Sequence, residues 1–162
     1  MNDVASQASR ERVFLVVVDQ SDELRVAVRY AANRALHTGG RVALLYVTEP
    51  TEFQSFKAVE DLMRDEIRQN AEATLQHWSK LVQEWSGKTP VLFVREGNPR
   101  DELLKVLDEE KSISILVLAA ASGKKGPGPL ITALTGKLWK QLPVPLAIVP
   151  GSLSDDVIDA LT

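Results

Sequence analysis

The 162-residue sequence contains no cysteine, which excludes disulfides, thiol chemistry and thiolate metal sites. It has only two histidines, His37 and His77, and neither has a ligand partner at metal spacing. Excess positive charge is absent too: 19 basic residues face 22 acidic ones, for a net charge of −3. A broad basic surface for nucleic acid is therefore not expected. No apolar run approaches the ~20 residues that cross a bilayer, so no membrane partner is expected. The amino terminus, MNDVASQASRER, is polar and lacks the apolar segment of a secretory signal, which gives a soluble, cytoplasmic protein as the expectation. What is present is average for a globular chain: 44% hydrophobic and 25% charged residues. A chain of this length makes one domain and buries roughly 70% of its unfolded surface, enough for a core without covalent or metal staples.

Short apolar runs alternate with longer helical patterns. Val13–Val18 is a continuous apolar run, as in a strand covered on both faces, and Ser21 with Asp22 and Glu23 reads as a helix start. The stripe Leu24, Val28, Ala31, Ala32 and Ala35 continues that helix to Gly39-Gly40. Val42–Val47 is a second strand. From Phe56 to Trp85 apolar residues recur with a mean spacing of about 3.6, predicting one long helix entered through a loop at Glu52–Ser55 and ended by Gly87. Trp78, Trp85 and Trp139 share helical spacing with other apolar residues and read as core or interface packing.

Val91–Val94 reads as a third strand, Asn98-Pro99 as a cap and first turn, and Ile113–Leu118 as a fourth strand. Pro129 opens a helix expected to run to about Gln141, and Val144–Val149 is a fifth strand, placed at a sheet edge by Pro145. The tail, residues 151–162, carries a short capped helix after Ser154. No internal repeat or long linker divides the chain. The expected division is an N-terminal arm over residues 1–11, one domain over 12–150 and the tail. The pattern predicts an α/β fold, a doubly wound parallel sheet with helices on both faces.

In such sheets ligands bind beyond the carboxyl ends of the strands, where strand order reverses. Three segments end at that edge: Val18-Asp19-Gln20, Val47-Thr48, and Ala119 to Pro129. The blocks LVVVDQSDELRVAVRYAANRA, GGRVALLYVTEP, VREGNPRDELLKVLDEE, ILVLAAASGKKGPGPL and QLPVPLAIVPG, in this order and spacing, resemble the universal stress protein family over nearly the whole chain. The resemblance implies a Rossmann-like sheet of order 3-2-1-4-5 and a homodimer through the last strand, Val144–Val149. It also implies ATP or AMP as ligand, with magnesium if ATP, and a role in stress survival and signalling. The family binds nucleotide through an acidic residue after the first strand and a motif Gly-x-x-Gly, nine residues, then Gly-Ser or Gly-Thr after the fourth.

Two registers fit that motif here. A literal match selects Gly123, Gly126 and Gly136, with Lys137 in place of the hydroxyl residue. Counting from the strand ends instead places Ala119, Ser122 and Thr132 at the glycine positions, followed by Ala133. The second register puts the motif at the strand end, whereas the first would set Gly136 inside the expected helix. The candidate site is accordingly Val18, Asp19, Gln20, Val47, Ala119, Ala121, Ser122, Gly123, Gly126, Thr132 and Ala133. Two lost glycines at roughly 1–2 kcal/mol each would turn micromolar into nearly millimolar binding. Lys124 and Lys125 offset part of this as phosphate-attracting cations, or form a solvated loop pair.

Asp19 reads either as a ribose or metal-phosphate contact or as a carboxylate beside a helix N-terminus. Two readings of function follow: a nucleotide-binding signalling module, or an interaction protein of the same fold without nucleotide. Relatives of the fold that activate substrates with ATP use a Ser-Gly-Gly-x-Asp-Ser loop. Here that loop is Asp19-Gln20-Ser21-Asp22, and no nucleophile–base pair is legible, which leaves slow ATP hydrolysis as the only form of catalysis.

Overall fold

The structure, a computed structural model, describes residues 10–50 and 57–162. Five strands form one parallel sheet: β1 Val13–Val18, β2 Arg41–Thr48, β3 Val91–Glu96, β4 Ile113–Ala120 and β5 Leu146–Pro150. Their order is β3-β2-β1-β4-β5, so β1 lies at the centre and β3 and β5 at the edges. The helices are α1 Leu24–Thr38, α2 Lys57–Ser86, α3 Pro99–Glu109, α4 Pro129–Thr135 and α5 Asp155–Leu161.

Side chains alternate across a strand, and β1 uses both of its faces. Phe14, Val16 and Val18 pack with α1, with Leu75 and Val82 of α2, and with Ile158 of α5. Val13, Leu15 and Val17 pack with Leu103, Val106 and Leu107 of α3 and with Ile131 and Leu134 of α4. All six residues of β1 are buried, which explains why the run is apolar without alternation. Fully burying each Val or Leu stabilises by about 1.5–3 kcal/mol, so this strand is the main thermodynamic anchor. The outer strand β3 differs: Val91, Leu92 and Val94 are 40%, 43% and 43% exposed along one open edge.

Helix ends follow local chemistry. Gly39 takes a left-handed conformation (φ 68°) after α1, and its N–H donates to the Ala35 carbonyl. Gly87 (φ 78°) ends α2 with its N–H on the Gln83 carbonyl at 2.9 Å. The Asn98 side chain caps α3, accepting from the amides of Arg100 at 3.0 Å and Asp101 at 3.3 Å. At α5 the Ser154 hydroxyl accepts from the Val157 amide at 3.3 Å.

Several sequence expectations are corrected. Ser21 does not cap α1, which begins three residues later, after Glu23 and without a side-chain cap. The helix from Pro129 stops at Thr135: Gly136 closes it with a non-helical conformation (φ −96°, ψ −112°), and only a 3-10 turn at Trp139–Gln141 follows. Gly136 therefore ends a helix and does not lie inside one. Trp139 is 59% exposed and outside the core, whereas Trp78 and Trp85 pack against it. The last strand starts at Leu146, so Pro145 precedes it, with its carbonyl accepting from Leu116 at 3.0 Å. The loop expected at Glu52–Ser55, Phe56 and residues 1–9 of the arm lie outside the described residues.

The tail helix α5 lies along α1. Arg25 pairs with Asp155 at 2.7 Å, and Arg29 holds both carboxylate oxygens of Asp159. Asn33 donates to Asp159 at 2.7 Å, and Ile158 is fully buried beneath these contacts.

Candidate functional site

Strand order reverses at β1, whose neighbours β2 and β4 lead to opposite edges of the sheet. This is where an open α/β sheet leaves a crevice at its carboxyl edge. At the end of β1 the Asp19 carboxylate accepts from the Ser21 amide at 2.9 Å and from the Ser21 hydroxyl. That Asx-type turn sets the direction in which the chain enters α1. Sequence reading misassigned Ser21 because the same residue type serves helix caps and such turns.

Across the crevice, the loop after β4 folds back on itself. The Ala121 amide donates to the Pro127 carbonyl at 3.0 Å, and the Thr132 amide donates to the Gly128 carbonyl at 3.0 Å as the first bond of α4. Gly126 (φ 89°) and Gly128 (φ 117°) occupy the positive-φ region that side chains resist. A further close approach joins this loop to the tail. The Gly151 amide donates to the Ala120 carbonyl at 2.8 Å, and a Cβ on Gly151 would lie 2.4 Å from that oxygen and 2.9 Å from Glu23 Cβ.

Asp19, just after β1, and Ala119, in the neighbouring strand β4, line one cavity of about 130 Å³. Ser21, Glu23, Pro127 and Gly128 complete its rim, and Val17, Leu24 and Ile131 are among its apolar walls. Of the other expected residues, Val18 is buried in the core and Gln20 is exposed. Val47 packs against the core on the α3 and α4 side and does not line the cavity. Ser122, Gly123 and Gly126 lie on the exposed loop, Ala121 closes its base, Thr132 is exposed, and Ala133 is half-buried in α4. Neither motif register lines the cavity as a whole: Ala119 is its one shared position, and Gly136 is absent from the lining. Sequence reading placed Gly128 in the loop segment at this edge but missed Ser21 and Glu23 as rim residues. For Gly128 the Gly126-Pro127-Gly128-Pro129 turn was the available signal, since it delivers glycine to the start of α4.

A larger cavity, about 350 Å³, lies between α2 and the ends of β2 and β3. Its lining mixes Glu49, Glu60 and Glu96 with Arg64, Arg68 and Arg95. Among the described residues no group of three or more His, Asp or Glu is arranged to hold a metal, and no helix is long and apolar enough to cross a membrane.

The sheet order 3-2-1-4-5 with helices on both faces defines a Rossmann-like domain. The family model described as the universal stress protein family matches residues 11–150, and the chain belongs to that family. Solved structures agree on the fold. The universal stress protein UspA from Lactobacillus plantarum superposes with a TM-score of 0.71 at 18% identity, covering 87% of this chain and 99% of that one. A universal stress protein in complex with cAMP gives 0.60 at 20%, covering 89% and 100%. The universal stress protein from Archaeoglobus fulgidus in complex with dAMP gives 0.56 at 20%, covering 86% and 98%. No curated protein sequence matches the chain.

Proposed function

We propose that this chain is a cytoplasmic stress-response binding module that holds an adenine nucleotide, ATP with magnesium or AMP, at the Asp19–Ala119 cavity. The observation that carries this reading is the convergence of Asp19, Ala119 and Gly128 on one cavity at the switch point of the sheet. Family members solved with cAMP and dAMP support it. In this reading the Asp19 carboxylate meets the ribose or a magnesium-bound phosphate. The amides of the exposed Ser122–Gly126 stretch, with Lys124 and Lys125, then meet the phosphates. Titration calorimetry with ATP, ADP and AMP in magnesium tests it. Heat of binding below millimolar nucleotide, lost in Asp19→Ala, is the expected result, and no heat at millimolar nucleotide refutes it.

A second reading is favoured by the size of the cavity, about 130 Å³ against the ~300 Å³ or more of common ligand sites, and by Ala119 in place of glycine. In it the chain acts through protein surfaces and binds no nucleotide, and Asp19→Ala leaves partner capture unchanged with or without ATP. Both readings include a homodimer through the last strand, at the Val144–Val149 segment. An edge strand has unpaired backbone groups, and pairing with the same strand of a second copy is isologous. Light scattering that shows only monomer at micromolar concentration would remove the dimer.

A further inference from the structure

Away from the nucleotide cavity, α1 presents a stripe of cationic and polar side chains to α5. Arg25, Arg29 and Asn33 follow one another at four-residue spacing on one helix face. Their partners are Asp155 at 2.7 Å, Asp159 at 2.9 and 2.8 Å, and Asp159 again at 2.7 Å. Farther along α1, Arg34 and His37 meet the Thr162 carbonyl at 3.3 and 2.8 Å. The guanidiniums of Arg25 and Arg29 also lie 5.0 and 4.9 Å from the ring centroid of Trp85 on α2. That aromatic floor holds the cations in place independently of the carboxylates above them.

The occupant fits this groove only in part. Helix α5 has seven residues, too few to be helical on its own, so the groove and not intrinsic propensity shapes it. Ile158 is its one buried side chain, while Val157 and Leu161 remain 44% and 64% exposed. Beside it an apolar cavity of about 230 Å³ stays open between Tyr30, Ala147, Val149, Leu153 and Leu161. The Arg25–Asp155 pair is exposed and individually weak, and a seven-residue helix with one buried side chain opens locally more readily than the sheet. Residues Gly151–Ser154 join it to β5, and Gly151 stays anchored to the Ala120 carbonyl at 2.8 Å.

We propose that the groove between α1 and β5 is an exchangeable docking site for a short acidic amphipathic helix of a partner protein, with α5 as its occupant in cis. The pattern it recognises is that of α5: an acid, then an apolar residue three positions on, followed at once by a second acid, as in Asp155, Ile158 and Asp159. Charge complementarity with Arg25 and Arg29 selects the acids, and Ile158 shows where the apolar anchor goes. This inference is independent of nucleotide binding.

The test is fluorescence polarisation of a labelled peptide with the sequence of residues 151–162, titrated with the full chain. In Asp159→Arg the cis helix is repelled by Arg29, and this variant is expected to bind the peptide at least tenfold more tightly than the unaltered chain. The paired exchange Arg29→Asp with Asp159→Arg recloses the groove in cis and repels the peptide, so it should bind at least tenfold more weakly than Asp159→Arg alone. A peptide with Asp155→Lys and Asp159→Lys should bind neither the unaltered chain nor Asp159→Arg. Should Asp159→Arg melt the chain by circular dichroism, Asp159→Asn, which removes the ion pair and keeps the shape, takes its place. Equal binding by the unaltered chain and the opened variant, or binding of the lysine peptide by either, overturns the proposal. A concentration-dependent dimer that Asp159→Arg abolishes would assign the groove to the tail of a second copy and overturn the partner assignment.

Discussion

Arg29 grips Asp159 with two parallel hydrogen bonds, from Nε at 2.9 Å and Nη2 at 2.8 Å. The fork geometry is the strongest that a guanidinium and a carboxylate form, and it ties the tail helix to the first helix of the domain. Residues 151–162 lie beyond the span that the family model matches, so this contact fastens a segment outside that span onto the family fold.

Acid should loosen the tail before it unfolds the sheet. The hydrogen bonds from Arg29 and Asn33 hold the Asp159 carboxyl below the ordinary aspartate range, and that from Arg41 holds Glu11 below the ordinary glutamate range. A carboxylate with a depressed folded pKa stabilises fully above its unfolded value and loses that contribution as pH falls through the folded one. Hydrogen exchange in α5 should therefore rise below about pH 4, while the amides of β1 stay protected. Unchanged α5 exchange at a pH where the Asp159 carboxyl has itself protonated would show that the ion pairs do not hold the helix.

Gly151→Ala should destabilise the chain by about 1–3 kcal/mol, read as a lower urea midpoint with an unchanged slope. The added methyl would sit 2.4 Å from the Ala120 carbonyl oxygen, a backbone atom that cannot step aside. A midpoint equal to that of the unaltered chain would place the two segments farther apart than described.

Asn98→Ala removes the acceptor for two amides at the start of α3 and should cost about 0.5–2 kcal/mol. Asn98→Asp keeps an acceptor and should restore most of the loss in the same thermal melts.

Asp19→Ala should weaken nucleotide binding at least tenfold, about 1.4 kcal/mol, with little change in melting temperature. The side chain is exposed, and its structural work is limited to the turn at Ser21. An equal affinity in the variant would move the nucleotide away from this cavity.

The strands were legible because burial on both faces leaves an uninterrupted apolar run, and Val13–Val18 is the plainest case. Gly39, Gly87 and Asn98 marked helix ends through backbone and capping chemistry that works at any position in a fold. Expectation failed where two local signals competed. Ser21 is taken by Asp19 and not by a helix amide, and apolar spacing from Pro129 to Gln141 continued past a glycine that ends α4 at Thr135. The pairing of Asp19 with Ala119 was legible because strand order alone brings those strand ends together. Val47 was not: it shares the α3 and α4 face with Val17 and Ile131, but β2 lies across β1 from β4 and its loop, and nothing in its own residue type reveals that.

The sheet has two bare margins that point the same way along the chain, Val91–Glu96 on one side and Leu146–Pro150 on the other. Association of one margin with its own counterpart across a twofold axis ends at two copies. Association of one margin with the other would repeat without limit and grow into a fibre. The charged Arg95 and Glu96 that finish the first margin therefore act as a brake on polymerisation, because they interrupt an otherwise apolar rim of Val91, Leu92 and Val94.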